Sequence, residues 1–554
     1  MILGIDVGGT RTDSVIIDER GVFLYNKTDT KEDLLETLDI ALRELIRLGG
    51  EIPIDRAVFS TTLATNAIVQ DRLQPTGVMV MAGPGIDPMA FEVGPSYHVI
   101  DGVLDHQGFE VRPVSQREVL EVSKRIKEKD ISLLAVVGKF SPRNPEHEKK
   151  VHELLKDQFE YISLGHKFSG FLNFPRRIQT TYLNAALYPL QKRFVGCLEE
   201  ILLKAGIYCK RFLLKPDGGT LALDKSLDNS VAAAQSGPAA SVMGAIYLDG
   251  CKGTCLVMDI GGTTTDMAVV IDGVPLLAPM GAHLGPYKTL IRSLLTKSVG
   301  IGGDSIVQVT EQGEVLIGPQ RLGPPVSFGG EHPTPTDALV ALGLLEGNRT
   351  SKALDTMKRL GEAMGIEDPR KASEVVLRKM AQDIYHQARI FLAEINSRPV
   401  YTIREVLFEQ RIEPDSLVLI GGPSRELAVF ISEAFGLPYR VPQFAEVANA
   451  IGAAVSKVTA EVMVYADTQK GVMVIPEIDY QERIPYTFKE EDALEKGREA
   501  LHYLGKLLGA DEDLEIQITE KSIFNMVKGF YRTGQNIRLK LCLMPGIYSM
   551  RGVR

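Results

Sequence analysis

A short phrase occurs twice in this chain, once at the N-terminus and once near the middle. The first copy is ILGIDVGGTRTD at residues 2–13, and the second is LVMDIGGTTTD at 256–266. Each copy reads as an apolar strand that ends in an acid, followed by Gly-Gly-Thr, then Thr-Asp, then a second apolar strand. Glycines at such a turn let backbone amides close around phosphate oxygens without a Cβ in the way. The two copies therefore predict two half-sites for one polyphosphate.

A single Gly-Gly-Thr after a strand is usually only a turn. Here both copies also carry an acid at the strand end, Asp6 and Asp259, and a second acid in the Thr-Asp pair, Asp13 and Asp266. Mg²⁺ prefers one or two carboxylates together with phosphate oxygens. We predict that Asp6 and Asp259 coordinate a metal ion or its water, or position the reacting nucleophile. Asp13 and Asp266 are predicted to orient water or to hold the loops.

Two further glycine-rich phrases extend the predicted nucleotide site. SVGIGGDSI at 298–306 and LIGGPSREL at 419–427 each place paired glycines where a helix could begin, with Asp304 or Ser424 as a helix cap or ribose contact. Either phrase alone is also explained as a helix-entry turn. The predicted nucleotide contacts are Gly8, Gly9, Thr10, Thr12, Gly261, Gly262, Thr263, Thr264, Gly302, Gly303, Asp304, Gly421, Gly422 and Ser424.

Two polar segments are candidates for contact with the substrate. STTLATNAI at 60–68 opens a helix with hydroxyls and an amide that suit a carbonyl or phosphoryl group, although a simple helix cap explains it as well. NPEHE at 144–148 places His147, a possible base or ligand, at a helix start, where a solvated N-terminus also explains the acids. The predicted substrate contacts are Thr61, Thr62, Thr65, Asn66 and His147.

Composition limits the class of protein. A length of 554 residues predicts two or three domains. The net charge of -9, without a block of Lys or Arg, argues against nucleic acid or a membrane surface as the main partner. No apolar run approaches membrane-spanning length, and no signal segment is evident, so we expect a cytoplasmic protein. The five scattered cysteines fit a reducing compartment, and we interpret Cys251 and Cys255 of CKGTC as structural.

The order of elements predicts an α/β fold. Three strands, a helix, a strand and a helix follow each other from the N-terminus, which is the order of an RNase H-like unit, and a second such unit begins at the second copy of the phrase. We expect an N-terminal RNase H-like domain over 1–187, a second over 188–460 and a small α+β domain over 461–554. Residues 175–206 predict a long helix that Pro189 kinks or divides.

With these phrases in place, the chain resembles the hydantoinase A/5-oxoprolinase family, within the acetate kinase, sugar kinase, Hsp70 and actin superfamily. The resemblance covers about residues 1–460 and rests on an ordered set of motifs: DVGGTRTD, STTLATNAI, NPEHE, TTYLNAALYPL, KPDGG, AQSGPAASVMGA, DIGGTTTD, SVGIGGDSI, PTPTDALVALG, IGGPSREL and NAIGAAV. It implies two RNase H-like (actin-like ATPase) domains around an ATP cleft, with ATP and Mg²⁺ as cofactors. It further implies the opening of a cyclic amide, such as a hydantoin or 5-oxoproline, through a phosphorylated intermediate.

Several alternatives stay open at this point. The family also implies an ATP-dependent carboxylase subunit of the acetone carboxylase type. An ATP-driven activator of a partner enzyme would need a cysteine cluster or a peptide-binding domain, which the sequence does not indicate, whereas a small-molecule kinase would share the phosphate machinery. Family members usually carry a Pro-Gly-Pro stretch with a nearby Cys before a PTxTDA motif. At this place, residues 318–338, the present chain has GPQRLGPPVSFGGEHPTPTDA, which leaves the substrate open. No stretch corresponds to the family's hydantoinase B partner, so we expect a separate partner subunit and a homo- or hetero-oligomer.

Overall fold

The structure is a computed structural model that describes residues 1–9, 11–31, 34–49, 53–397, 411–511 and 514–548. The chain forms two compact units. Unit 1 comprises Met1–Ala239, Ala278–Ser293 and Ser456–Arg554, and unit 2 comprises Ala240–Leu277 and Leu294–Val455. The domain boundaries expected after residues 187 and 460 remain predictions.

The elements are numbered here in chain order. The strands are β1 (Ile2–Val7), β2 (Arg11–Asp18), β3 (Gly21–Asp29), β4 (Arg56–Thr61), β5 (Thr76–Met81), β6 (Ser96–Val99), β7 (Val103–Leu104), β8 (Glu110–Arg112), β9 (Leu133–Gly138), β10 (Tyr161–Leu164), β11 (Lys210–Leu214), β12 (Thr220–Ala222), β13 (Thr254–Ile260), β14 (Thr265–Ile271), β15 (Val274–Pro275), β16 (His283–Leu284), β17 (Tyr287–Lys288), β18 (Thr296–Val299), β19 (Val307–Val309), β20 (Val315–Ile317), β21 (Ser416–Ile420), β22 (Tyr439–Arg440), β23 (Ala460–Asp467), β24 (Val472–Ile475), β25 (Tyr480–Arg483), β26 (Ile516–Lys528) and β27 (Tyr531–Leu543).

The α-helices are α1 (Leu34–Gly49), α2 (Leu63–Val69), α3 (Gln116–Lys127), α4 (Glu146–Leu155), α5 (Phe174–Lys204), α6 (Ser236–Asp249), α7 (Pro335–Leu342), α8 (Thr350–Met364), α9 (Pro369–Asn396), α10 (Ser424–Phe435), α11 (Ala448–Val455) and α12 (Glu490–Leu507). Short 3₁₀ turns lie at Pro88–Phe91, Gly165–Lys167, Asp224–Leu227, Ser230–Ala233, Val326–Phe328, Ala445–Val447 and Pro476–Ile478. No helix in the described ranges combines the length and the apolar character that crossing a lipid bilayer requires.

The first sheet of unit 1 has the strand order β12-β11-β4-β1-β2-β3. β1 is antiparallel to β2 and parallel to β4, and all six of its residues are buried, as expected of a central strand covered on both faces. The predicted order of three strands, a helix, a strand and a helix is confirmed by β1, β2, β3, α1, β4 and α2. β1 is therefore an inner strand, and Asp6 lies near its C-terminal end.

A second sheet of unit 1 has the parallel order β10-β9-β5-β6. The long helix α5 packs on it and runs from Phe174 to Lys204 as one element, so Pro189 lies inside the helix and does not divide it. At the C-terminus, β25-β24-β23-β27-β26 form a sheet on which α12 packs, with Val462, Leu501 and Leu541 in the shared core. This part confirms the small α+β fold that the sequence predicts.

Unit 2 repeats the pairing of unit 1. Its sheet has the order β15-β14-β13-β21-β22, with β18 beside β14. β13 is antiparallel to β14 and parallel to β21, just as β1 is to β2 and β4. β14 and β15 are joined by the predicted Asp-Gly turn, in which Asp272 and Gly273 both have positive φ. The core of this unit lies between the sheet and α7 to α10.

Candidate functional site: two acid-bearing glycine hairpins

Both copies of the repeated phrase fold into the same closed turn. The backbone N–H of Gly8 donates to the carbonyl of Arg11 over 3.0 Å, and that of Gly261 donates to the carbonyl of Thr264 over 2.9 Å. A Cβ on Gly8 would lie 2.7 Å from the Arg11 oxygen, so this turn closes only with glycine. Thr10 lies outside the described residues.

Each hairpin places its two acids directly opposite each other. Asp6 pairs in register with Asp13 in unit 1, and Asp259 pairs with Asp266 in unit 2. Side chains of such cross-strand pairs lie on the same face of the sheet. The sequence offset therefore produces a pair of facing acids at the end of each central strand.

The two acid pairs differ in what balances their charge. In unit 1, the Nζ atom of Lys27 lies 3.2 Å from Oδ1 of Asp13. In unit 2, burial raises the pKa of Asp266 to about 7; a hydrogen bond from Ser298 opposes this shift, and the Asp259 carboxylate adds to it. Two carboxylates that face each other in a buried position disfavour each other's ionisation until a cation neutralises their charge. Asp259 and Asp266 are therefore candidate ligands for a cation, and their contact with Mg²⁺ remains a prediction.

The other glycine-rich phrases pack against the second hairpin. Gly303 and Asp304 donate their backbone N–H groups to the carbonyls of Gly261 and Gly262, over 2.9 and 2.7 Å. A Cβ on Gly302 would lie 2.6 Å from the Gly262 carbonyl oxygen. Because the loops touch backbone to backbone, glycine is required at this contact. The structure thus joins the loop 300–304 to the second copy of the phrase.

Gly421 closes the other side of Asp259. It follows β21 with a φ of +96°, and a Cβ on it would lie 2.6 Å from Oδ1 of Asp259. The helix predicted after this phrase is confirmed as α10, which begins at Ser424. Ser424 is not the cap, however, because it is the first helical residue and its hydroxyl donates to the Gly421 carbonyl over 2.7 Å.

The helix start expected after Gly303 is wrong. A bend and then strand β19 follow instead, so Asp304 caps no helix. The Asp304 carboxylate lies 3.0 Å from Nη2 of Arg321 and accepts a 3.1 Å hydrogen bond from Thr336. Arg321 lies in the stretch that precedes the PTPTDA motif, and Thr336 lies in that motif. The contact of Asp304 with a nucleotide remains a prediction.

The remaining predicted nucleotide contacts differ in exposure. A Cβ on Gly9 or Gly422 would meet no atom of the described residues within 4 Å, so the space beside both glycines is open. Thr263 is exposed and Thr264 is half-buried. Thr12 is buried, and its hydroxyl lies 3.0 Å from that of Thr30.

The hydroxyl cluster between β4 and α2 is largely engaged by the protein itself. Thr62 donates to the Val7 carbonyl over 3.2 Å, Thr61 accepts from the N–H of Leu63, and Thr65 accepts from the N–H of Gln235 over 2.8 Å. Asn66 is exposed. Thr62 occupies the N-cap position without a side-chain capping bond, whereas the Thr61 hydroxyl accepts from the first N–H of α2. Contact with substrate remains a prediction.

The NPEHE segment contains a buried charge chain that the sequence does not reveal. His147 is 2% exposed, and its Nε2 lies 2.9 Å from Glu110. Glu148 is fully buried, so a solvated helix N-terminus does not explain it. Its Oε2 lies 2.6 Å from Nδ1 of His166, whose Nε2 lies 2.7 Å from Oδ1 of Asp479. These partners are far apart in the chain, and no local motif connects them.

The protonation of this chain follows from its contacts. Burial disfavours the charged imidazole, but the hydrogen bonds to Asp479 and Glu148 outweigh burial and raise the pKa of His166. Burial of Glu148 is likewise outweighed by His166 and by the N–H of Gly138, which lower the pKa of that carboxyl. An imidazolium between two carboxylates therefore ties the C-terminal segment of unit 1 to α4.

The CKGTC cysteines lie in the one potential metal-ligand cluster among the described residues. The ligand atoms of Asp249, Cys251 and Cys255 lie within 4.8 Å of one another. Arg440 already donates to Asp249 over 2.7 and 2.9 Å and to the Cys255 sulfur over 3.4 Å. Burial also raises the pKa of the Cys251 thiol, which disfavours the thiolate that a metal needs.

Comparison with known proteins gives family matches over most of the chain. The model of the hydantoinase/oxoprolinase N-terminal region matches residues 2–159, and the hydantoinase/oxoprolinase model matches residues 177–462. The caprolactamase subunit alpha of Pseudomonas jessenii is 24% identical over 76% of this chain and 64% of its own length. The acetophenone carboxylase gamma subunit of Aromatoleum aromaticum is 26% identical over 66% of this chain and 57% of its own length. The chain thus spans less than two thirds of these relatives.

Two solved structures share the fold over the whole chain. A nucleotide-free acetone carboxylase has a TM-score of 0.72 at 17% identity, and the ATP-dependent caprolactamase from Pseudomonas jessenii has a TM-score of 0.71 at 18% identity. Each comparison covers 100% of this chain and 88% of the other.

Proposed function

Because this chain belongs to the hydantoinase/oxoprolinase family, we propose that it is an ATP-dependent hydrolase, or the ATP-consuming subunit of one, that opens a cyclic amide such as a hydantoin or 5-oxoproline. The observation that carries the proposal is the doubled glycine hairpin with a carboxylate pair at the end of each central strand. The relative named caprolactamase subunit alpha supports a ring amide as the class of substrate.

The chemical need for ATP follows from the amide. An amide carbonyl is a weak electrophile, and transfer of the γ-phosphoryl group to its oxygen forms a C–O–P linkage and releases ADP. Water then attacks the carbon, and the ring C–N bond breaks with a proton delivered to nitrogen, which leaves an acyl phosphate. A second water hydrolyses the acyl phosphate to a carboxylate and releases phosphate. The sum is ATP, cyclic amide and two waters giving ADP, phosphate and a ring-opened amino acid or carbamoyl amino acid. Phosphoryl transfer of this kind depends mainly on positioning and electrostatics.

The residues of the two hairpins have distinct parts in this proposal. Backbone amides of the glycine turns bind phosphate oxygens, for which small residues leave room. Asp6 and Asp259 hold Mg²⁺ or orient water, and Asp13 and Asp266 support them. When bound, Mg²⁺ supplies positive charge to the phosphate oxygens of ATP. The raised pKa of Asp266 supports a cation at the Asp259 pair, because a cation would offset the burial and the neighbouring carboxylate that disfavour ionisation of Asp266.

The test measures ADP release by the purified chain with Mg-ATP and a panel of 5-oxoproline, hydantoin, N-methylhydantoin and caprolactam. Each reaction is run with and without a hydantoinase B-like protein, the proposed partner. We expect one or more cyclic amides to raise ADP release, and Asp6→Asn or Asp259→Asn to abolish that increase with the fold intact. Asp18→Asn and Asp272→Asn are matched controls, because these acids lie in the turns from β2 to β3 and from β14 to β15, at the far ends of the strands from the glycine turns. If no cyclic amide raises ADP release although ATP binds, the proposal is wrong.

A carboxylase subunit is the second candidate function. The relatives named acetophenone carboxylase gamma subunit and acetone carboxylase beta subunit favour it. The same assay separates the two functions when a ketone and bicarbonate replace the cyclic amide. ADP release that depends on both, with a carboxylated ketone as product, would establish the carboxylase instead.

A further inference from the structure

Two helices of unit 2 approach each other unusually closely beside Asp259. A Cβ on Gly244 of α6 would lie 2.0 Å from the carbonyl oxygen of Ala448, the first residue of α11. A Cβ on Gly452 of α11 would lie 1.9 Å from the carbonyl oxygen of Ala240 in α6. The contact is reciprocal: each glycine faces the backbone of the residue that lies four positions before the glycine of the other helix. Only glycine at both positions permits this approach.

The close approach brings two polar side chains to one carboxylate. Ser241 follows Ala240 on α6, and Asn449 follows Ala448 on α11. The Ser241 hydroxyl donates to Oδ2 of Asp259 over 2.6 Å, and its oxygen lies 3.1 Å from Oδ1 of Asn449. A hydroxyl has one proton, and the short bond to the carboxylate takes it. The Asn449 side chain therefore serves this contact best with its NH₂ group turned to the Ser241 oxygen, since amide orientation is set by the hydrogen-bond network.

Ser373 is a buried helical serine of unit 2 whose hydroxyl makes only a local hydrogen bond in the described contacts. Ser373 of α9 is also buried, and its hydroxyl donates to the carbonyl of Pro369 four residues earlier in the same segment, over 2.7 Å. That bond is the common local use of a helical hydroxyl. Ser241, by contrast, reaches from α6 to the end of β13. Ser373 is thus a matched control in the same unit.

We propose that Ser241 and Asn449 are positioning residues for Asp259. With the Asn449 amide turned in this way, its NH₂ group donates to Ser241, and Ser241 donates to Oδ2 of Asp259. The chain fixes the carboxylate rotamer while Oδ1 of Asp259 faces Gly421. The motifs AQSGPAASVMGA and NAIGAAV then have a defined purpose, because their glycines permit the helix contact and their polar residues orient the acid. This inference rests on the proposed function, in which Asp259 acts in ATP turnover.

The test compares Ser241→Ala and Ser373→Ala in the intact chain, with turnover, ATP affinity by calorimetry and melting temperature as readouts. Loss of a hydrogen bond to a charged group predicts a fall in kcat of about 10- to 100-fold for Ser241→Ala. A misoriented acid affects the reacting groups more than ground-state binding, so we expect the KM and the dissociation constant for ATP to change less than about threefold. Ser373→Ala should keep kcat within about twofold of wild type by the same reasoning.

Asn449 provides a test of the hydrogen-bond direction. Asn449→Asp is isosteric but replaces the donor by a third carboxylate facing Ser241, whereas Asn449→Ala only removes the donor. The proposal predicts a lower kcat for Asn449→Asp than for Asn449→Ala. If Asn449 serves packing alone, the isosteric variant is the milder one, and the proposal is overturned.

The outcomes separate this inference from the proposed function. Wild-type protein that binds ATP but shows no turnover with any cyclic amide or partner contradicts the proposed function. Active wild type with Ser241→Ala within twofold of it overturns the positioning role alone. An equal loss of kcat in Ser241→Ala and Ser373→Ala also overturns it, because the loss would then reflect general damage to unit 2.

Discussion

Replacing Gly244 or Gly452 by alanine tests the helix contact that supports Asp259. The added Cβ would lie 2.0 or 1.9 Å from a backbone oxygen, against an ordinary closest approach of about 3 Å. Because the obstacle is backbone, no side-chain rotation relieves it, and the helices must separate by roughly 1 Å. Overpacking of this kind costs typically 1–3 kcal/mol, with more for rigid contacts. Alanine in a helix returns about 1 kcal/mol relative to glycine. We expect a net loss of about 2 kcal/mol for each variant.

Scanning calorimetry of the full chain measures this loss. For a domain of about 150–250 residues, a loss of about 2 kcal/mol corresponds to a melting temperature lower by roughly 4–8 °C. Gly196→Ala is the matched control, because Gly196 is exposed in the middle of α5 and a Cβ there meets no atom within 4 Å. That variant should gain up to about 1 kcal/mol from the same substitution.

The double variant sharpens the test. Gly244 and Gly452 lie in one contact, so the first alanine already separates the helices and the second costs less than it does alone. Both single variants should also lower kcat, because Ser241 and Asn449 move away from Asp259. A Gly244→Ala or Gly452→Ala protein as stable as Gly196→Ala would refute the close helix contact and the reasoning built on it.

Three further predictions concern other buried groups. Burial raises the pKa of Glu477 to about 7, so between about pH 4.5 and 7 the folded protein holds a proton that the unfolded chain has lost. The free energy of unfolding therefore falls as pH rises through this range, by at most about 3 kcal/mol. Chemical denaturation should show a smaller pH dependence of this free energy in Glu477→Gln than in wild type, and an equal pH dependence would contradict the raised pKa. Glu148→Gln leaves a buried imidazole without its closest carboxylate and should cost about 3 kcal/mol or more in unfolding experiments, whereas a loss below about 1 kcal/mol would mean that His166 is neutral. Cys251→Ser should leave the metal content of the purified protein unchanged by mass spectrometry, because Arg440 balances Asp249; one zinc per chain in wild type that the variant lacks would disprove this.

Local chemistry explains why the two hairpins are predictable from sequence. The acid, the glycines and the Thr-Asp pair lie within a dozen residues, and a strand that ends in such a turn pairs with the next strand at a fixed register. Asp6 therefore faces Asp13, and Asp259 faces Asp266.

Contacts between distant segments explain what the sequence does not reveal. Asn449 lies beside Ser241, the partner of Asp259, where two glycines far apart in the chain let α6 and α11 touch. His166 meets Asp479 over more than 300 residues of separation. The phrase at 298–306 looks like a helix start because of its paired glycines, yet those glycines serve a loop-to-loop contact with Gly261 and Gly262. Glycine patterns indicate close approach but not which partner approaches.

The coupling between ADP release and ring opening is the decisive test of ATP-dependent amide hydrolysis by this chain. With a cyclic amide that raises turnover, ADP and ring-opened product are quantified together in wild type, Asp259→Asn and Asp272→Asn. The account predicts one ADP for each ring opened in wild type and in Asp272→Asn, and the loss of both products together in Asp259→Asn. Ring opening without ADP, or undiminished coupled turnover in Asp259→Asn, would contradict it.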